Sequence, residues 1–203
     1  MVVRGMAVAV LAVGLAGCVA VEGGGIRSVA LLEGQITAAA PVGYCIATGA
    51  GRRDADSAVI LMGPCRAGGE TVPALVTVTV GPGGSAGAMA GGGAALAAFF
   101  ASADGRATLS RSGRGRDVEV LEAKARGDVF LLRLRDRIVG DYWRAIAGLR
   151  GRLVTVTADG PGGETLEPAA GKALVLAAMA AMTRANAGKD APAEAAVSGE
   201  NGD

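Results

Sequence analysis

The sequence predicts an α+β fold, an antiparallel sheet with helices packed on its faces. Three observations predict it. Ala74 to Val80 reads Ala-Leu-Val-Thr-Val-Thr-Val, the alternation of a half-buried strand. The elements come as strands, a helix, four strands and a closing helix, an order that builds α+β rather than alternating α/β domains. The closing helix carries Leu174, Val175, Met179 and Met182 on one side, at helical spacing.

Each element follows from its residues. Glu22-Gly23-Gly24-Gly25 is a flexible tether, because glycine-rich chain has nothing to pack. Arg27 to Ala40 is strand-like through Val29, Leu31 and Ile36, and Pro41 ends it. Val42 to Ile46 is a second short extended piece. Ala47 to Ser57, with Gly49, Gly51, Arg52, Arg53, Asp54 and Asp56, reads as an exposed loop. Ala58 to Met62 is an apolar run of strand length, stopped by Gly63-Pro64. In the strand that follows, the valines are expected to face the core, with Thr77 and Thr79 on the other side.

Gly81 to Gly93 is rich in glycine and reads as a flexible connection. An alanine-rich helix covers about Ala94 to Ala101 and continues, kinked, to Leu109, with Phe99 and Phe100 as its bulky contacts. Ser110 to Arg116 is a basic loop. Val118 to Ala123 and Val129 to Arg135 pair through a turn at Arg126-Gly127-Asp128. Tyr142 to Ala147 and Leu153 to Ala158 form a second hairpin around Arg150-Gly151. Pro168 opens the last helix, which runs to about Asn186. Ala187 to Asp203 is alanine, glycine, proline and acid, a composition expected to stay disordered.

The chain divides accordingly into residues 1–17, 18–25, 26–186 and 187–203. The first piece has the three parts of an export signal: Arg4, an uncharged apolar run from Met6 to Ala16, and small residues before Cys18. Leu15-Ala16-Gly17-Cys18 resembles the lipobox of bacterial lipoproteins. The resemblance implies removal of residues 1–17 and a diacylglyceryl anchor on Cys18. Acyl chains in that number hold a protein firmly to a membrane. A plain secretory signal cut elsewhere is the rival reading. Val19, where an aspartate would retain the protein at the inner membrane, implies the periplasmic side of the outer membrane under the Gram-negative sorting rule.

Composition bounds the chemistry. The full chain has 20 basic and 19 acidic residues, and loss of the signal removes Arg4 alone. A near-neutral protein has no electrostatic grip on nucleic acid. There are no histidines, so the commonest general base and metal ligand are missing together. Cys45 and Cys65 remain beyond the anchor, even in number and in an oxidising compartment. A Cys45–Cys65 disulfide is expected. A redox-active pair, the rival, usually has its cysteines close in sequence.

The order and spacing of elements from Ile26 to Asn186 resemble the Mog1/PsbP-like α/β/α sandwich. The features that carry this are the Ile36-to-Tyr44 segment with Pro-Val-Gly-Tyr, the strand Ala74 to Val80, the helix after it, the paired hairpins and the closing helix. The chain is also similar to small lipoproteins of alphaproteobacteria. PsbP-like domains commonly act as accessory subunits, so the resemblance implies a binding or assembly role with an envelope protein partner.

Motifs for catalysis are weak. Gly81-Pro82-Gly83-Gly84-Ser85-Ala86 formally fits a dinucleotide fingerprint between strand and helix, but Pro82 stiffens the turn and no second βαβ unit follows. Without histidine and without a Gly-x-Ser-x-Gly elbow, no triad of the usual kind can be drawn. The expectation is therefore a non-enzyme with no cofactor and no metal. Arg133, Arg135 and Arg137 alternate with Leu132 and Leu134, giving a basic face for a polar partner or for acids on a neighbouring strand. Trp143 is a further partner contact or a core anchor. On a strand it and Tyr142 face opposite sides, one core and one partly exposed. Arg106, Arg111, Arg114 and Arg116 can grip a phosphate or a lipid headgroup, or be balanced by Asp117 and Glu119. The sequence thus predicts a membrane-anchored binding or assembly module. The alternative is a carrier of a small apolar ligand, in a cavity that an alanine-rich helix leaves beside a valine-rich sheet.

Overall fold

The computed structural model describes residues 25–68 and 70–188. The export signal, Cys18, the tether up to Gly24 and the tail beyond Gly188 lie outside the described residues.

Two antiparallel meanders meet in the middle of one sheet. The first consists of β3 (Tyr44–Ile46), β4 (Arg52–Arg53), β5 (Ala58–Pro64) and β6 (Leu75–Gly83). The second is β7 (Val118–Arg126), β8 (Val129–Asp136), β9 (Gly140–Leu149) and β10 (Arg152–Asp159). The order is β3-β5-β6-β10-β9-β8-β7, with β4 on β5. Between the meanders run α1 (Gly92–Ala101) and α2 (Ala103–Leu109), and α3 (Pro168–Asn186) closes the chain. A separate hairpin, β1 (Ser28–Leu31) with β2 (Ile36–Ala39), precedes them. The fold is α+β, as the element order predicts.

Both sheet faces are covered, but unequally. On one, Val76, Val78, Val80, Val154 and Val156 pack under α3 and the β1–β2 hairpin, against Ile36, Ala38, Val175, Met179 and Met182. On the other, Leu96, Phe100 and Leu109 of α1 and α2 pack on Phe130, Leu132, Leu134 and Ile146. The Phe100 and Phe130 rings stack with centroids 5.9 Å apart. These helices sit over β7, β8 and β9. Thr77 and Thr79 of β6 pair with Thr157 and Thr155 of β10, forming a threonine patch on the same face beyond the helices.

Several expectations change. Arg27 to Ala40 is a hairpin rather than one strand, because Leu32, Glu33 and Gly34 all take positive φ and the Gly34 N–H donates to the Leu31 carbonyl. The Gly81–Gly93 connection is ordered. β6 continues to Gly83 opposite Arg152, and a 3-10 turn, Ser85–Met89, follows. The Leu153 N–H donates to the Ser85 hydroxyl and ties this turn to β10. Because β6 has antiparallel neighbours on both sides, the parallel βαβ setting of a dinucleotide fingerprint is not there. Tyr142 and Trp143 are both buried, since helices cover both faces at β9. The kink between α1 and α2 is a break at Ser102, whose hydroxyl caps α2 by accepting from Gly105 N–H.

Cys45 and Cys65 form the expected disulfide, 20 residues apart. It joins β3 to the chain just after β5 and contributes about 3 kcal/mol in the chain-entropy model. None of the described helices is long and apolar enough to cross a membrane.

Candidate functional site

An apolar concavity lies where α1 and α2 stop short of β10. Its cause is the composition of α1, Gly-Gly-Ala-Ala-Leu-Ala-Ala-Phe-Phe-Ala. Only Leu96 and Phe100, four residues apart, are buried against the sheet. Gly93 lets the helix start press on β7, where an added Cβ would lie 2.6 Å from the Ala125 Cβ. The helix is therefore drawn toward β7, and on its other flank alanines cannot fill the space to β10. What remains is a cleft of about 420 Å³, with Met89, Leu96, Phe99 and Phe100 on one side and Ile146 and Leu153 on the other. That volume is in the range of small-molecule sites, and so is the predominance of apolar walls. Phe99 is 45 % exposed at the rim, an unusual place for a phenylalanine in a chain with three.

Along the sheet from this cleft the surface turns polar. Arg144, Thr157 and Asp159 follow on β9 and β10. Burial pushes the Asp159 carboxyl above its ordinary value, against the opposing pull of Arg111 and Arg144. Tyr142 is likewise raised by burial, and its hydroxyl donates to the Leu109 carbonyl at 3.4 Å.

The basic stripe is only two residues long, because β8 ends at Asp136 and Arg137 lies on the following turn. Arg133 and Arg135 share a face but are occupied within the domain. Both reach Asp141, at 3.4 Å and 2.8 Å, and Arg135 also reaches Glu119 at 3.3 Å. Arg137 is exposed and 4.0 Å from Asp117. Trp143 lies beneath α3, with the Lys172 ammonium 4.5 Å from its ring centroid. This sets Trp143 in the core, away from any surface contact. Lys172 itself pairs with Glu122 at 3.3 Å.

The basic loop is largely balanced. Arg106 donates to the Ala101 and Gly115 carbonyls. Arg114 pairs with Asp117 at 2.8 Å. The Ser112 hydroxyl, and then Arg114, hold the Asp117 carboxyl below its ordinary value. Two arginines that sequence reasoning passed over have more definite positions. Arg152 is buried in a network of acceptors. Arg144 stands beside the cleft. Neither is distinguishable in the sequence from the other arginines.

The class that fold and site define is an α+β domain, helices on both faces of an antiparallel sheet, with an apolar cleft of ligand size. No protein-family model matches the chain, and no curated protein matches it. Among solved structures the chain is similar to a point mutant of the protein Mog1, at 15% identity and a TM-score of 0.43, covering 78% of this chain and 93% of that one. A likeness this slight carries nothing about ligand or partner.

Proposed function

We propose that this protein is a non-enzymatic binding module that holds a small apolar ligand in the cleft between α1 and β9–β10, anchored through acylated Cys18 at the periplasmic face of the outer membrane. The observation that carries the binding role is the 420 Å³ cleft itself, walled by Phe99, Phe100, Ile146 and Leu153. A fold gains nothing from leaving such walls unfilled, and apolar space of this size favours an apolar guest. The lipobox reading supports the anchor, which would hold the cleft near a store of apolar molecules.

Two measurements test the two halves. N-phenyl-1-naphthylamine, a neutral apolar dye, is expected to brighten on binding. Ala95→Trp, which fills the cleft from α1, should weaken that binding at least tenfold, a loss of about 1.4 kcal/mol. Dye that does not bind, or binds the variant equally well, removes the cleft reading. For the anchor, the intact mass of membrane-extracted protein should begin at Cys18 and include acyl mass. An unlipidated chain removes the membrane half and leaves the cleft untouched.

A further inference from the structure

We infer that the guest of this cleft is a single-chain amphiphile with an anionic head, its chain between α1 and β9–β10 and its head on Arg144. This rests on the cleft reading above and adds the chemical class of the ligand.

The placement follows from strand alternation. Ile146 lines the cleft, and Arg144 is two residues along the same strand, hence on the same face and about 7 Å away. Its neighbours across the sheet are Thr157 on β10 and Leu132 on β8. Leu132 is covered by α1 and α2, whereas Thr157 belongs to the threonine patch beyond them. Arg144 therefore stands where the apolar cleft gives way to polar surface, and its guanidinium carbon lies 5.8 Å from the Tyr142 ring centroid.

Arg144 differs from the arginines that the fold already uses. Arg106, Arg114, Arg133, Arg135 and Arg152 each donate to an oxygen of the protein. Among the described residues, no hydrogen bond or ion pair reaches Arg144, and its Nε is buried without an acceptor. A buried donor left unpaired is costly, and native structures rarely keep one without a use. Asp159 lies within electrostatic range of both Arg144 and Arg111 but forms an ion pair with neither. Around Tyr142 the charges of Arg144 and Arg111 are matched by those of Asp136 and Asp159, so what Arg144 lacks is a bonded oxygen and not a countercharge. The terminal nitrogens of Arg144 are neither buried nor bonded to a protein oxygen among the described residues, and a carboxylate or phosphate head can pair with them there. The apolar walls next to it suit a chain and not a free inorganic anion.

The experiment compares dodecanoate with dodecan-1-ol as displacers of N-phenyl-1-naphthylamine from the full chain at neutral pH. The two have the same number of carbons, and one head is anionic where the other is neutral. Dodecanoate is expected to displace the dye at roughly tenfold lower concentration, the scale of one charge-assisted contact. In Arg144→Gln the ratio of the two displacing concentrations should fall to about two or less. Using the ratio cancels any general loosening of the cleft in the variant. Equal displacement by both in the wild type, or a ratio that Arg144→Gln leaves unchanged, overturns the inference while the cleft reading stands. Dye that never binds overturns both.

Discussion

Replacing Arg152 with methionine is expected to lower the unfolding free energy by about 4 kcal/mol, the range found when one member of a buried charged network is removed. The Arg152 side chain is 6 % exposed. It donates to the Asp56 and Gly81 carbonyls at 2.8 and 3.0 Å and to the Gln35 side-chain oxygen at 2.7 Å. It also pairs with the Asp56 carboxylate at 2.6 Å, and the Gly83 N–H donates to the same carboxylate at 3.0 Å. One guanidinium thereby fastens the start of β10 to the end of β6, the β1–β2 turn and the loop before β5. Methionine keeps much of the stem's packing but satisfies none of these acceptors. The Asp56 side chain is 57 % exposed, so the ion pair itself is screened and is not the main part of the loss. The larger part lies with the carbonyls and the amide that Arg152 serves.

Acid provides a second reading of the same network. Arg152, and then the Gly83 N–H, hold the Asp56 carboxyl below its ordinary value. A carboxyl depressed in the folded state stabilises the fold fully above its unfolded value, near pH 3.9, and loses that contribution as pH falls through the folded value. Arg152→Met should therefore show less acid sensitivity below about pH 4 than the wild type. Urea unfolding at pH 7 and pH 3 measures both effects. A wild-type midpoint at pH 7 in the variant would sink the assignment.

The contrast between what could be read in the chain and what could not has a physical basis. The closing helix is local information: Pro168 suits a first turn, and Leu174, Val175, Met179 and Met182 repeat at the helical period, and α3 spans Pro168–Asn186. β6 and β10 announce themselves by alternation for the same reason. Arg152 has no such signature, because its acceptors Gln35, Asp56 and Gly81 lie 117, 96 and 71 residues away. Arg144 and Arg133 look alike in the chain; only the register that sets Asp141 beside Arg133 and Thr157 beside Arg144 separates them. The Gly81–Gly93 stretch misleads in the opposite sense. Glycine there does not mean slack, because β10 and the Ser85 hydroxyl order it from outside. The kind of cavity was legible from small helix residues beside a sheet. Its position was not, because it depends on Gly93 drawing α1 toward β7.

Gly105→Ala is expected to be as severe as the loss of Arg152, about 4 kcal/mol, through overpacking that nothing can relieve. Gly105 is buried in α2, where an added Cβ would lie 1.9 Å from the Phe99 carbonyl oxygen and 2.9 Å from the Phe100 Cα. These are backbone atoms, so no side chain can turn aside. Phe99 O is also held in place, accepting from the Ser102 N–H at 3.0 Å and the Ser102 hydroxyl at 2.6 Å. On the other side of α2, a Cβ on Gly115 would come within 2.3 Å of the Ala103 carbonyl oxygen. The short helix is gripped from both sides, and relief at Gly105 must push α1 and α2 apart. That movement displaces Phe99 and Phe100, two walls of the cleft. Dye binding by the folded protein should then fall together with the urea midpoint. Gly87→Ala is the control, since a Cβ there meets nothing within 4 Å and should change stability by no more than about 0.5 kcal/mol. If the two alanine variants unfold alike, α2 is not pinned by its glycine and the cleft owes its shape to some other contact. If Gly105→Ala lowers stability but leaves dye affinity intact, the walls at Phe99 and Phe100 are set by the Phe100–Phe130 stack and not by the α1–α2 junction.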